Sequence, residues 1–351
     1  MKKRAVIETV PDSRREKLDF LGQVYCPLKD RFSRAWREYE DRYNRNHAAG
    51  LRGVTPMGSC GVDRYYNISA VETREKFPSV VTDVGYGEFF TGGFLENPDK
   101  LSWFAPVLPE KPAHPLFGNL ELRDPRGIFT IFGAMPYVLL VNHRRLKGRP
   151  VPRRIADLTR PEYTESLGVG FAPDDVSELL LLEIWKEQGE EGIRALARNT
   201  GFAGRAPEMA ADITANREGC CVFLISWFFA HAVPKRDYLE ILWPDDGALF
   251  DPLYAVFKKE ETDARKACAD FLFGAELGGV MAEGWFAHIN PDVKHPIPEN
   301  AGFRWAGWEY VYEQKITRRV AGIEAVYYDE RRGIHRTAVP RPAARRTEQF
   351  A

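Results

Sequence analysis

Regular patterns of apolar residues begin at Leu18. "LDFLGQVY" alternates like a strand, and apolar residues spaced three or four apart from Leu28 to Tyr43 predict a helix directly after it. "LRGVTPMG" and "PSVVTDVG" predict a second and a third strand, and "SAVETREKF" at residues 69–77 predicts a helix between them. This β-α-β-α-β order is typical of a largely parallel sheet.

The remaining pattern continues to alternate strands with helices. "GIFTIFGAMPYVLLVN" follows a proline-rich stretch and predicts a long buried strand, as does "CCVFLIS" at residues 220–226. "YLEILWPDDGALFDPLYAVF" predicts two strands around a turn, and the chain after it is largely helical. The longest apolar run, "CCVFLISWFFAHAV", has fourteen residues, which is too short to cross a bilayer, so no insertion into a membrane is expected.

The length of the chain predicts two lobes. At 351 residues it exceeds the size at which a single core stops growing. The proline-rich stretch that leads into "GIFTIFGAMPYVLLVN" and the strand pair "YLEILWPDDGALFDPLYAVF" mark the expected crossovers between lobes. The predicted organisation is a mobile arm at 1–17, lobe 1 at 18–132 plus 245–330, lobe 2 at 133–244, and a basic tail at 331–351.

The net charge of the chain limits the classes of partner that it could bind, and its first residues bear on its location in the cell. The chain has 49 basic and 50 acidic residues and a formal charge of −1, which argues against nucleic acid or an anionic membrane surface as the main partner. The first residues are basic, but only Ala5 to Ile7 are apolar before Glu8, unlike a secretion signal. The sequence as written therefore predicts a cytoplasmic protein, with a periplasmic location as the alternative if a signal peptide was removed.

Two segments between about Ile128 and Val293 resemble a known family. They are "MPYVLLVNHRRLKGRPVPRRIADLTRPEY" and "WPDDGALFDPLYAVFKKEETDARKACADFLFGAELGGVMAEGWFAHINPDV". They are similar to the segments by which the chain enters and leaves the second lobe of the type II periplasmic-binding-protein fold, in the iron-, polyamine- and thiamine-binding branch of ABC transporter substrate-binding proteins. "IADLTRPEY" corresponds there to a "W-x-D-L-x-x-P-x-Y" element, with Ile155 or Ala156 in place of Trp.

The resemblance implies a fold and a function. The expected fold is α/β, two-lobed, with two interlobe crossovers and a ligand cleft between the lobes. The expected function is capture of a small-molecule or metal ligand by closure of one lobe on the other. An ABC transporter permease is the implied partner, and an intracellular carrier or sensor is the implied variant if the chain is not exported.

Two of the five cysteines stand out from the apolar patterns. Cys26 follows the first predicted strand and Cys60 follows the second, and the carboxyl ends of parallel strands lie at one edge of a sheet. Pro27 suits the first position of a helix, which makes Cys26 the expected N-cap. The helix dipole and Lys29 would then favour the thiolate. The other three, Cys220, Cys221 and Cys268, lie within apolar or helical patterns and are predicted to be core residues.

The sequence allows three interpretations of Cys26 and Cys60. They could be small residues that fit tight loops beside the cleft. They could be metal ligands for a soft metal ion, a metal complex or an iron–sulfur species, making the chain a cytoplasmic metal or cluster carrier. Cys26 could also be the nucleophile of a thiaminase-like enzyme, with Asp83 or Glu88 as the nearest base. An enzyme is the less favoured reading.

The remaining candidates for ligand binding lie in the loops that follow predicted strands. Glycines beside Cys60 allow close approach of the backbone to an anion. The paired tyrosines of ferric-binding relatives have no counterpart in the second-lobe loop, because Tyr65–Tyr66 and Tyr327–Tyr328 fall elsewhere. The full set of ligand-binding candidates is Cys26, Lys29, Ser59, Cys60, Gly61, Asp83, Tyr86, Asp174, Ser226, Trp227 and His231.

Overall fold

The computed structural model describes residues 18–57, 68–90, 93–170, 176–215, 218–313 and 316–337. Within these ranges the strands are β1 (Phe20–Gly22), β2 (Gly53–Val54), β3 (Val80–Val84), β4 (Phe129–Asn142), β5 (Leu167–Val169), β6 (Thr200–Ala203), β7 (Val222–Ser226), β8 (Leu239–Leu242), β9 (Ala248–Phe257), β10 (Ala287–His288) and β11 (Phe303–Arg304). The helices are α1 (Lys29–Asn46), α2 (Pro98–Leu101), α3 (His143–Leu146), α4 (Glu178–Asn199), α5 (Ala206–Thr214), α6 (Trp227–Ala232), α7 (Asp263–Phe273), α8 (Ala275–Glu283), α9 (Trp308–Glu313) and α10 (Ile316–Thr337).

The chain divides into two compact units. The first unit contains the chain up to Val138, Ser226–Ala232 and Trp243–Thr317. The second contains Leu139–Ile225, Val233–Leu242 and the chain from Arg318 onward. The chain passes from the first unit to the second within β4, so one continuous strand contributes to both.

The first unit contains a mixed sheet in the order β2-β1-β3-β9-β4. β1 runs parallel to β2 and β3, as the sequence pattern predicts, whereas β9 runs antiparallel to both β3 and β4. β10 adds an antiparallel pair to β4, with Ala287 opposite Ala134. A Cβ atom on Gly133 would lie 2.5 Å from the carbonyl oxygen of Ala287, so only glycine lets β10 approach β4 this closely.

The helix predicted after the first strand is present as α1 and packs through aromatic residues. Phe20 of β1 stacks on Trp36 of α1 with 4.1 Å between ring centroids, and Phe271 of α7 meets Trp36 edge-on at 5.1 Å. Cys268, on the same helix as Phe271, is fully buried. Its predicted place in the core is confirmed, as are those of Cys220 and Cys221 in the second unit.

The helix predicted at residues 69–77 is absent, and that prediction is wrong. The segment forms two short 3-10 turns, Ile68–Ala70 and Arg74–Lys76. Thr73 between them is extended, with φ −117° and ψ 130°. Val71 and Phe77 are buried without a helix, so packing of these two side chains overrides the local helical preference.

The second unit contains the last residues of β4, paired antiparallel with β8, and a parallel set in which β5 lies between β6 and β7. Helix α4 is interrupted at Gly189, where φ is 63° and ψ is −152°. Gly168 in β5 is close to Phe223, because a Cβ atom there would lie 2.0 Å from the ring. The largely helical character predicted after β9 is observed as α7, α8, α9 and α10.

No helix in the described part of the chain is long and apolar enough to cross a membrane.

Candidate functional site

Three tryptophans and a histidine form an aromatic cluster in the first unit. Trp227 and His231 lie on α6, which begins immediately after β7, and their ring centroids are 4.3 Å apart. Trp243 and Trp285 meet Trp227 edge-on, at 5.4 Å and 6.1 Å. We call these four residues the aromatic site. It brings together two of the sequence candidates and adds two tryptophans that the sequence patterns did not single out.

The closest contact of the aromatic site joins His231 and Trp285. Their rings are stacked nearly parallel, with 3.6 Å between centroids and an interplanar angle of 5°. Trp285 has φ +64°, in the left-handed region that a large side chain rarely adopts. It follows Gly284 at the end of α8, and its backbone N–H donates to the carbonyl of Ala282 at 3.0 Å. The fold therefore holds this indole against the imidazole in a backbone conformation that costs free energy.

Trp227 contributes a buried donor. The residue is 6% exposed, and its indole Nε1 has no hydrogen-bond partner among the described residues. Trp243 differs, because its Nε1 donates to the carbonyl of Gly302 at 2.9 Å. Ser226 is itself buried, and its Oγ accepts a 3.5 Å hydrogen bond from the backbone of Phe229, which caps α6. An indole N–H without an acceptor is uncommon in a protein interior.

A buried carboxylate lies among tyrosines in the same unit. The hydroxyl of Tyr25 hydrogen-bonds Asp251, which is 3% exposed on β9. Burial, and then the Asp251 charge, raises the pKa of Tyr25 well above its ordinary value, and the same two causes raise the pKa of Tyr137. Gly85 has φ +58°, and a Cβ atom there would lie 3.0 Å from Oδ1 of Asp251. We call Tyr25, Tyr137 and Asp251 the acid–tyrosine cluster.

The acid–tyrosine cluster connects to the aromatic site through one ring contact. Tyr25 stacks on Phe286 at 6.4 Å between centroids, and Phe286 directly follows Trp285. The segment after β1, the loop after β3 and the end of α8 thus contribute neighbouring groups. Polar and aromatic side chains that converge from several loops are typical of a small-molecule site.

The side chains of Asp83 and Tyr86, beside this cluster, form hydrogen bonds with other residues of the first unit. Asp83 lies within β3 and is buried, with its Oδ2 accepting 3.1 Å hydrogen bonds from Tyr254 Oη and from the backbone of Glu88. Burial raises its pKa to about 6. The hydroxyl of Tyr86 accepts a 3.0 Å hydrogen bond from Nε1 of Trp305.

Cys26 is not the N-cap that the sequence predicts. It begins a 3-10 turn, Cys26–Leu28, in which Tyr25 takes the cap position and Pro27 the second position. Helix α1 starts only at Lys29. The prediction failed because Pro27 fits the first turn of a 3-10 helix as readily as that of an α-helix.

Cys26 is exposed. Its proposed partner, Cys60, lies outside the described residues, as do the candidates Ser59, Gly61 and Asp174. The pairing of Cys26 with Cys60 therefore stays a prediction. In the described part of the chain, no group of three or more His, Cys, Asp or Glu residues is arranged to hold a metal ion.

Sequence reasoning missed the residues that complete both clusters. Trp285 follows a glycine in "AEGWF", within a glycine–aromatic turn that carries the family resemblance. Tyr25 directly precedes Cys26, at the end of the apolar pattern of the first predicted strand, and no local pattern distinguishes it from a core residue. Asp251 interrupts the apolar run of β9, and a carboxylate inside a strand that is buried throughout is the signal that could have identified it.

Comparison with known proteins identifies the family. The family model described as bacterial extracellular solute-binding protein matches residues 75–314, more than half of the chain. The chain belongs to this family. The resemblance seen in the sequence is thereby confirmed. No curated protein sequence matches this solute-binding protein significantly.

Solved structures agree on the fold. A Trichodesmium protein (IdiA, FutA) in complex with iron and citrate aligns with a TM-score of 0.63 and 13% identity, covering 89% of this chain and 99% of the other. The ferric binding protein of Campylobacter jejuni aligns at 0.57 and 13%, covering 90% and 99%. AfuA of Actinobacillus pleuropneumoniae with fructose-6-phosphate bound aligns at 0.58 and 14%, covering 90% and 98%. The α/β, two-lobed binding-protein fold of this solute-binding protein is thus confirmed.

Proposed function

We propose that this solute-binding protein captures a small organic ligand, or an organic complex of a metal, at the aromatic site. The ligand presents a flat or apolar face to Trp285 and an oxygen acceptor to Trp227. The acid–tyrosine cluster forms the adjoining wall. Delivery to an ABC transporter permease, outside the cytoplasmic membrane, is the role that family membership supports.

The left-handed backbone of Trp285 carries this proposal. A non-glycine residue in that conformation costs about 1–2 kcal/mol, and residues held in such conformations cluster at active sites and ligand clamps. Here the strained residue stacks on His231 within the aromatic site. The strain therefore supports a role for this indole in contacting a ligand.

The buried N–H of Trp227 supports an oxygen acceptor on the ligand. A buried donor without a partner costs about 1–3 kcal/mol, which a ligand acceptor would recover. The neighbouring structures are titled with iron and citrate and with fructose-6-phosphate, and citrate and sugar phosphate are both rich in oxygen acceptors. Ferric citrate and fructose 6-phosphate are therefore the first two probes to test.

The experiment measures binding of each probe by isothermal titration to the wild type and to three variants. Trp285→Ala removes the strained indole, Trp227→Phe removes the N–H and keeps an aromatic ring, and Trp185→Phe is a control on α4 in the second unit. We expect a probe that binds the wild type to lose about tenfold in affinity with Trp227→Phe, as expected for one hydrogen bond of about 1.4 kcal/mol. Trp285→Ala should lose more, and Trp185→Phe should bind like the wild type.

Unchanged affinity in both Trp227→Phe and Trp285→Ala would remove the aromatic site from ligand binding. If neither probe binds, native mass spectrometry of the purified wild type and of Trp285→Ala replaces the titration. A retained small molecule present in both proteins at equal occupancy would also contradict the proposal.

A further inference from the structure

Three histidines of the first unit lie together beyond the aromatic site. His114 precedes a short turn at Pro115–Phe117, His288 ends β10, and His295 lies in the following loop. The rings of His114 and His295 meet edge-on with 4.6 Å between centroids. The backbone N–H of His288 donates to Nε2 of His295 at 2.8 Å. We call these residues the histidine cluster.

Each of the three rings uses one nitrogen to accept a backbone hydrogen bond. Nδ1 of His114 accepts from the N–H of Leu116 at 3.1 Å, and Nδ1 of His288 accepts from the N–H of Asn290 at 3.1 Å. The third acceptor is Nε2 of His295. A protonated imidazole has no acceptor nitrogen, because both of its nitrogens carry hydrogen. All three histidines are therefore neutral in this structure, and protonating any of them breaks a backbone hydrogen bond.

The other ring nitrogens fit the neutral state. Nε2 of His288 donates to the carbonyl of Leu272 at 2.8 Å, and the ring of His114 also hydrogen-bonds the backbone of Val293. Because Nε2 of His295 accepts, Nδ1 carries the hydrogen of the neutral ring, and it is buried without a partner among the described residues.

Charges around the cluster do not compensate a cation on it. Burial is the main cause that lowers the pKa of His288 and of His295 to about 4, and proximity to His114 lowers both further. The pKa of His114 is also lowered by burial. Asp292 is already paired with Lys111. The charged groups that line the same groove as His295 are Glu283 of α8 and Asp292 and Lys294 of its own loop.

The histidine cluster is connected to Trp285 through β10 and α8. Only Phe286 separates Trp285 from β10, whose His288 packs on α8 so tightly that a Cβ atom on Gly278 would lie 2.8 Å from Nδ1. His295 and Trp285 line the same groove, of about 670 Å³, along α8. Loss of the hydrogen bonds at His288 and His295 would therefore loosen the segment that fixes the strained indole.

We propose that the histidine cluster is an acid-sensitive latch, which holds residues 286–296 in place while its rings are neutral and releases them when they are protonated. Release would free Trp285 from His231 and lower affinity for the ligand, a consequence that rests on the function proposed above. The latch opens as pH falls from about 6.5, the ordinary pKa of histidine, towards 4.

Hydrogen exchange on the ligand-free protein tests the latch. Exchange of peptides covering 286–296 is followed by mass spectrometry from pH 7.5 to 4.5 and corrected for the intrinsic pH dependence of exchange. We expect protection of this segment to fall at least tenfold over that range, while peptides of α4 in the second unit keep theirs. In the double variant His114→Asn, His295→Gln, amide oxygens take the place of the two acceptor nitrogens without titrating, and only His288 is left to titrate. The fall in protection should therefore be at least threefold smaller than in the wild type.

The control is His47→Gln, which changes an exposed histidine at the end of α1 and should leave the wild-type transition intact. Constant protection of 286–296 in the wild type would overturn the latch, as would a wild-type transition in the double variant. If the double variant does not fold, the wild-type profile and the single variant His114→Asn decide the question. No ligand is present, so failure here is distinct from failure of the probes at the aromatic site.

Discussion

The hydroxyl of Tyr254 donates a hydrogen bond of 3.1 Å to Oδ2 of Asp83, across the antiparallel pair of β3 and β9 in which these two residues face each other. Both side chains are buried in the core of the first unit. The carboxylate also accepts from the backbone of Glu88, so it ties the loop after β3 to the sheet. A core carboxylate thus shapes the loop that carries Gly85 and Tyr86.

The raised pKa of Asp83 predicts a pH dependence of stability. Its pKa is about 6 in the fold, against 3.8 for an ordinary aspartate. The folded protein therefore binds this proton more readily than the unfolded chain, and the contribution of Asp83 to the free energy of unfolding falls as pH rises from about 4 to 6. The expected fall is on the order of 2–3 kcal/mol.

Urea unfolding of the wild type and Asp83→Asn at pH 4, 5, 6 and 7 checks this contribution. The histidine cluster acts in the opposite direction over the same range, so the difference between the two proteins is the quantity to compare. We expect the free energy of unfolding of Asp83→Asn to increase relative to that of the wild type as pH rises. A difference that is constant with pH would show that Asp83 does not titrate in this window.

The backbone of Trp285 predicts an unusual order of stability for two truncations. Trp285→Ala and Trp285→Gly both lose the stack on His231, but only glycine adopts φ +64° without a steric penalty. We expect Trp285→Gly to be more stable than Trp285→Ala by about 1 kcal/mol in urea unfolding. The reverse order would mean that the left-handed conformation is not maintained in solution.

Arg145 and Asp212 form a buried ion pair in the second unit. Nη1 of Arg145 lies 3.1 Å from Oδ2 of Asp212, and the guanidinium also donates to the carbonyls of Cys220, Asp212 and Ala215. Arg145→Ala leaves the carboxylate buried without its cation, so we expect a loss of about 3–5 kcal/mol in the free energy of unfolding.

Arg31→Ala is the matched control for that loss. Arg31 pairs with Glu283 at 3.1 Å, but the side chains are 46% and 74% exposed, against 6% and 10% for the buried pair. We expect a change below about 1 kcal/mol. Equal losses in the two variants would contradict the argument from burial.

The predicted pairing of Cys26 and Cys60 has a direct test. If the two thiolates hold a soft metal or a cluster, protein purified without oxygen contains metal by elemental analysis, and Cys26→Ala with Cys60→Ala removes it. Cys26→Ala alone should also lower the content, because two ligands share the ion. Metal content that is the same in the double variant and in the wild type would refute the pairing.

Local patterns in the sequence were sufficient for most elements of the fold. The strand and helix before Tyr43, the long apolar strand β4, the buried β7 and the pair β8 and β9 all follow from short-range periodicity, and each is present in the structure. The family could also be recognised from the order of these elements. Predictions failed where a cap or turn decided the outcome, at residues 69–77 and at Cys26, because helical spacing over two turns does not distinguish an α-helix from 3-10 turns.

The candidate site depended on contacts that no local pattern encodes. Asp83 and Tyr254 are 171 positions apart in the chain, and their contact follows from the antiparallel insertion of β9 beside β3. Packing of the segment after β1 on β9 places Asp251 beside Tyr25, and the end of α8 places Trp285 on His231. Residue type and spacing specify which face of an element is apolar, but the partner across that face is set by the packing of the whole unit.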